Sequence, residues 1–239
     1  MRRLVIPFLL AVALAWLLIT GVAGLWGDTR IASAASAVNT KIVINVVKHR
    51  LYLYRNNKLF QVYPVAVGEP HTPSPRGEFY ITQKAVWGDG FGTRWMRLST
   101  PWGIYGIHGT NNPGSVGTVA SHGCFRMYNR DVEQVYALVS LHTPVIIEGI
   151  TPYTRIKRPL KLHAIGQDVV ELQRLLQLAR VYPGTQSGVF TPEVAQAVKK
   201  FQTMVGLEPS GTATPATVKK LLEYTQQSEL KPGYLSRSS

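Results

Sequence analysis

The chain has 239 residues, 45% of them hydrophobic, a single cysteine and a formal net charge of +13. The apolar fraction excludes a disordered chain, the lone cysteine excludes an internal disulfide framework, and the length accommodates one sizeable domain plus a small one. The positive balance suits an anionic partner, but the basic residues form no consecutive block.

The elements begin with an export signal. Met1-Arg2-Arg3 is a positive leader, and residues 4–26 carry no charge, a run of about 35 Å as a helix and long enough to cross a bilayer. Ala32-Ser33-Ala34 and Ala35-Ser36-Ala37 follow and fit a signal-peptidase site. Residues 1–37 are therefore expected to be a signal peptide or a membrane anchor, with the rest delivered outside as a cell-wall, secreted or membrane-anchored protein. Export argues against nucleic acid as the partner and for anionic wall polymers.

Residues 38–150 read as a mainly β domain. Segments 41–47, 50–54, 58–67 and 78–86 are rich in Val, Ile, Tyr and Phe, and Asn56-Asn57 suits a hairpin turn between the second and third. Residues 68–77 hold three prolines and form a loop. Strands are expected at 95–99 and 103–108, with His108 at a strand end, then a Gly/Pro/Ser loop over 111–120. Asn129 is a candidate N-cap for a helix reaching Leu141, and residues 144–149 close the domain as a last strand.

Residues 151–160, with two prolines and several cations, read as a linker. Residues 161–228 then read as a small all-α domain of three helices. Asp168 and Glu171 have the spacing of a capping box. Thr191-Pro192 and Thr214-Pro215 each place a capping threonine before a proline at the first helical position, and Gly206 suits the left-handed residue that ends the middle helix. Residues 229–239 show no period and are expected to be a flexible tail.

The chemistry concentrates at Ser121-His122-Gly123-Cys124-Phe125-Arg126-Met127. A lone cysteine in an exported chain is either buried filler or a reactive thiol, and its polar, glycine-bearing surroundings favour the thiol. A thiol with a pKa of about 8.5 needs a base to attack a carbonyl at neutral pH; His108 and His122 are the two candidates. The turn through Gly123 can aim backbone N–H groups at an oxyanion, and the fork of Arg126 suits a carboxylate. His108, His122 and Cys124 are also legitimate zinc ligands, although none has the short helical spacing of metalloproteases; neither metal nor cofactor is expected.

His108-Gly109-Thr110 followed by Ser121 to Met127, with residues 68–81 upstream, resembles the L,D-transpeptidase catalytic domain, the YkuD family. The resemblance implies a YkuD-like β-sandwich with a short helix, acting on peptidoglycan stem peptides. It implies Cys124 as nucleophile and His108 as general base, with the Gly109 carbonyl as its orienter. It places His122 and Gly123 on the oxyanion side, and Arg126, Ser121 and Thr110 toward substrate. A thioester would form with release of D-alanine and pass to an acceptor amine, cross-linking the wall. The alternatives are hydrolysis of the same thioester, as an L,D-carboxypeptidase, and a non-catalytic wall-binding protein. Leu172-Gln173, Gly188-Val189-Phe190, Phe201-Gln202, Gly206-Leu207 and Gly211 are similar to a three-helix peptidoglycan-binding-like module. Because the motif lies wholly before residue 151, removal of this module is expected to spare turnover of soluble stem peptides.

Overall fold

The computed structural model describes residues 39–150 and 153–229. The export segment and the tail beyond residue 229 lie outside them. Among the described residues, no helix is long and apolar enough to cross a membrane.

The chain opens with β1 (Thr40–Asn45), β2 (Arg50–Arg55) and β3 (Lys58–Pro64), an antiparallel meander. Asn56 and Asn57 both adopt positive φ, 50° and 61°, as expected of a hairpin turn whose twist matches its strands. Pro64 ends β3, so the strand expected over 58–67 is divided. Val67–Gly68 forms the separate β4, which pairs in parallel with β8 (Val119–Ser121) just before the cysteine.

Between these lie β5 (Gly77–Val86), β6 (Arg94–Leu98) and β7 (Gly106–His108). After β8 come β9 (Phe125–Arg126), α1 (Asn129–Leu138) and β10 (Pro144–Glu148). The main sheet runs β3-β2-β1-β10-β5-β6-β7-β9. β5 belongs to both halves: residues Gly77 to Tyr80 pair with β10, and after an irregularity at Ile81 to Gln83 the remainder pairs with β6. One apolar core joins Ile42, Ile44, Leu51 and Leu53 from the first half to Ile81, Met96, Leu98, Ile107 and Phe125 from the second, with Val132 and Val135 of α1. Burial on both sides of the bend drives the sheet to fold over that core.

The C-terminal region holds α2 (Gln167–Leu178), α3 (Pro192–Met204) and α4 (Pro215–Glu229) around a second core that includes Leu172, Leu176, Phe190, Phe201 and Leu221. Thr214 caps α4 through Thr217 N–H at 3.3 Å, and Gly206 has φ 71° after α3. The capping box at Asp168 is not formed. Gly166 takes the N-cap position, Asp168 pairs with Arg158 at 2.8 Å, and Glu171, buried, pairs with Arg174 at 2.7 Å and accepts from Tyr153 N–H at 3.0 Å. A buried carboxylate takes the partners that neutralise it. Two buried glutamines explain the Gln and Gly positions of this region. Gln173 accepts from Gly188 N–H at 2.8 Å and donates to Val189 O at 3.1 Å; Gln202 accepts from Gly211 N–H at 3.0 Å and donates to Thr212 O at 2.9 Å. Each amide closes a glycine turn whose φ is near 77°.

Candidate active site

The register of β7 against β9 builds the site. The strands are parallel, with Ile107 beside Phe125 and His108 beside Arg126. Side chains alternate along a strand, so Ile107 and Phe125 enter the core, fully buried, while His108, Cys124 and Arg126 share the opposite face. Gly106, the neighbour of Cys124 on that face, turns its N–H to the sulfur. A side chain at Gly106 would run into the Trp95 ring.

His108 is 3% exposed. Its Nδ1 lies 2.5 Å from Gly109 O; a carbonyl only accepts, so Nδ1 carries the proton and Nε2 is left as the basic nitrogen. The imidazole packs against Phe91 at 5.0 Å and Trp95 at 5.6 Å between ring centroids, and Trp87 stacks on Trp95 at 5.0 Å. Burial pushes the His108 pKa down to about 4, and the Arg126 charge adds to that, against the Gly109 and Phe91 carbonyls. Burial pushes the Cys124 thiol up, against the Gly106 N–H and the Arg126 charge. Both shifts favour the neutral form of their group, imidazole and thiol alike.

Ser121 organises the turn between β8 and β9. Its hydroxyl donates to Cys124 O at 2.6 Å and accepts from Gly123 N–H at 3.1 Å. The Gly123 N–H is thus engaged, while that of Cys124 donates to no acceptor among the described residues. Gly123, at φ 109°, lies against the Tyr105 ring and Pro73 O, which leave no room for a Cβ. Arg126 donates to Ala120 O at 2.9 Å. His122 is exposed. Thr110 is buried; its hydroxyl accepts from Asn112 N–H at 3.0 Å, within its own loop. Among the described residues no three His, Cys, Asp or Glu side chains are placed to hold a metal ion, so His108, His122 and Cys124 do not converge as a ligand set.

Asn129 differs from its expected role. It is the first residue of α1, Tyr128 takes the N-cap position, and no side chain caps the helix. The Asn129 side chain instead accepts from Thr93 N–H at 3.3 Å and Thr110 N–H at 3.1 Å. It ties the loop carrying Phe91 to the loop leaving His108. Gly106, Phe91, Trp95 and Tyr105 are further site residues that sequence reasoning missed; the five aromatic residues between Trp87 and Tyr105 were the only signal.

Residues 39–147 match the YkuD family, the L,D-transpeptidase catalytic domain, and residues 165–221 match the family described as "Putative peptidoglycan binding domain". The chain is 44% identical over 113 residues to "Putative L,D-transpeptidase YkuD" of Bacillus licheniformis, a match covering 47% of this chain and 66% of that protein. It is 43% identical over 107 residues to the protein of the same name in Bacillus subtilis, covering 44% and 64%. With "Putative L,D-transpeptidase YqjB" of Bacillus subtilis it shares 34% identity over 122 residues, covering 44% of this chain and 69% of that one. The chain belongs to the YkuD family of L,D-transpeptidase catalytic domains. It spans just under two thirds of the length of the two YkuD relatives.

Proposed function

We propose that the protein is a cysteine-dependent L,D-transpeptidase of peptidoglycan. The observation that supports the reading is the pairing of β7 with β9, which sets His108 beside Arg126, two residues past Cys124, with the His108 tautomer set by Gly109 O. As the Cys124 sulfur attacks the carbonyl between the third stem residue and D-alanine, its proton passes to His108 Nε2. The Cys124 N–H is the first donor available to the developing oxyanion. Collapse of the tetrahedral species breaks the C–N bond, His108 returns the proton to the departing amine, and D-alanine leaves a thioester. An acceptor-stem amine then attacks the thioester carbonyl and gives a proton to His108; the C–S bond breaks, His108 returns the proton to the Cys124 sulfur, and the amide cross-link is the product. Arg126 supplies positive charge on this face for the donor's carboxylate, and Ser121 holds the turn in shape. His122 is exposed and stands at the rim as a substrate contact.

The C-terminal region retains the protein on peptidoglycan, and the net charge of +13 adds attraction to anionic wall polymers. The apolar run at residues 4–26 exports the protein or anchors it to the membrane, so that the enzyme works outside the cytoplasm.

Mass spectrometry after mixing the protein with a disaccharide-tetrapeptide tests the reading. We expect a dimer that has lost one D-alanine, and no such product from Cys124→Ala. A tripeptide monomer alone would assign the protein as an L,D-carboxypeptidase, and unchanged tetrapeptide would refute the thioester chemistry.

A further inference from the structure

The two loops that wall the Gly123-Cys124 turn are each held at their far end by the helical region. The first is residues 69–76, between β4 and β5. Its Pro73 O lies against Gly123, Glu69 N–H and the Thr72 hydroxyl both donate to Ser121 O, at 2.9 and 3.3 Å, and Ser74 Oγ accepts from Gly68 N–H at 2.8 Å. Three residues beyond Pro73, the Arg76 backbone is bracketed by one side chain of α2: Gln167 accepts from Arg76 N–H at 3.0 Å and donates to Arg76 O at 3.1 Å. Glu78 N–H then donates to Gln186 O at 3.0 Å.

The second loop is residues 99–105. At one end the Tyr105 ring covers Gly123; three residues before it, Trp102 lies on Gly188, so closely that any side chain there would enter the ring. Gly77 is equally crowded, by Gln186 O and Val170. Glycines face the seam from both sides, at φ 133° for Gly77 and 77° for Gly188. The Gly188 turn is in turn closed by Gln173. Contact this close, made by backbone on both faces, fixes position in a way that a tether between independent domains does not.

We propose that the helical region is a structural part of the active site, in which Gln167 and Trp102 are positioning residues that set how the two loops meet the Gly123-Cys124 turn. The inference rests on the proposed acylation of Cys124 and reverses the expectation that the region can be removed without loss of turnover on soluble stem peptides. Whatever draws the helical region away from the seam also loosens the walls of the site, which couples its docking to catalysis.

The test uses the full chain and a soluble tetrapeptide donor. Gln167→Ala removes two hydrogen bonds to one backbone and should lower the acylation rate at saturating donor about 3–10-fold. Hydrogen exchange at the amides of Glu69 and Gly123 should accelerate in the same variant. Gln167→Glu keeps only the acceptor and should fall between. Phe201→Leu, in the helical core away from the seam, supplies the comparison at equal loss of thermal stability. Wild-type rate and wild-type exchange in Gln167→Ala would overturn the proposal, as would a loss no greater than that of Phe201→Leu. If the wild-type chain itself is never acylated, the functional reading fails, and exchange at Glu69 and Gly123 still decides the bracket.

Discussion

His108 shows how one buried side chain links chemistry to stability. Its pKa lies at about 4 in the fold against about 6.5 for a free imidazole, so between those values the unfolded chain binds the proton and the native one does not. Stability is therefore complete above pH 6.5, falls on acidification to about pH 4, and changes no further through this group, a loss on the order of 3 kcal/mol. Urea midpoints should show that slope in the wild type and lack it in His108→Gln. The same depression keeps His108, the proposed base, unprotonated in mildly acidic solution, so the acid limb of the proposed acylation should lie near pH 4. Arg126 contributes to lowering both His108 and Cys124; Arg126→Gln should therefore move the acid limb upward and leave a thiol still harder to ionise. Acylation rates across pH would show both, and an unmoved acid limb would mean that burial alone sets the base.

At the scale of elements, Asn129 divides what could be read in the sequence from what could not. Asparagine before an apolar period is a sound N-cap signal, yet its amide oxygen is equally suited to any backbone N–H brought near it, and here two distant loops supply them. Asn129→Ala should leave the helix content unchanged by circular dichroism. It should destabilise the fold by about 1–3 kcal/mol through the two N–H groups left without an acceptor, and slow acylation as Phe91 loosens over His108. Most of the long strands, the hairpin at Asn56-Asn57 and the three C-terminal helices were legible because each rests on local period or a short motif, whereas the short β8 and β9 fell where no strand was expected. Gly106, Trp95 and Tyr105 were not, since what makes them matter is strand register and contact across the fold. Asp168 falls inside α2, behind the Gly166 N-cap, where its carboxylate pairs with Arg158 and accepts from Val169 N–H.

For the whole molecule, the seam at Arg76, Gly77, Trp102 and Gly188 predicts that the full chain melts in a single calorimetric transition, although it carries two cores. Gly188→Val drives a side chain into Trp102 at a positive φ, and should split that transition in two or open a low-temperature shoulder; an unchanged single transition would show that this contact does not couple the two cores. The placement of β10 has a consequence for biogenesis. This strand is the last of the sheet to be synthesised, yet it lies between β1 and β5. Until residue 148 has left the ribosome, the early hairpins have no common neighbour and the two halves of the sheet cannot close. The thiol accordingly acquires its half-buried setting only after the central strand has been inserted, and a nascent chain interrupted before Pro144 should carry an ordinary, solvent-accessible cysteine.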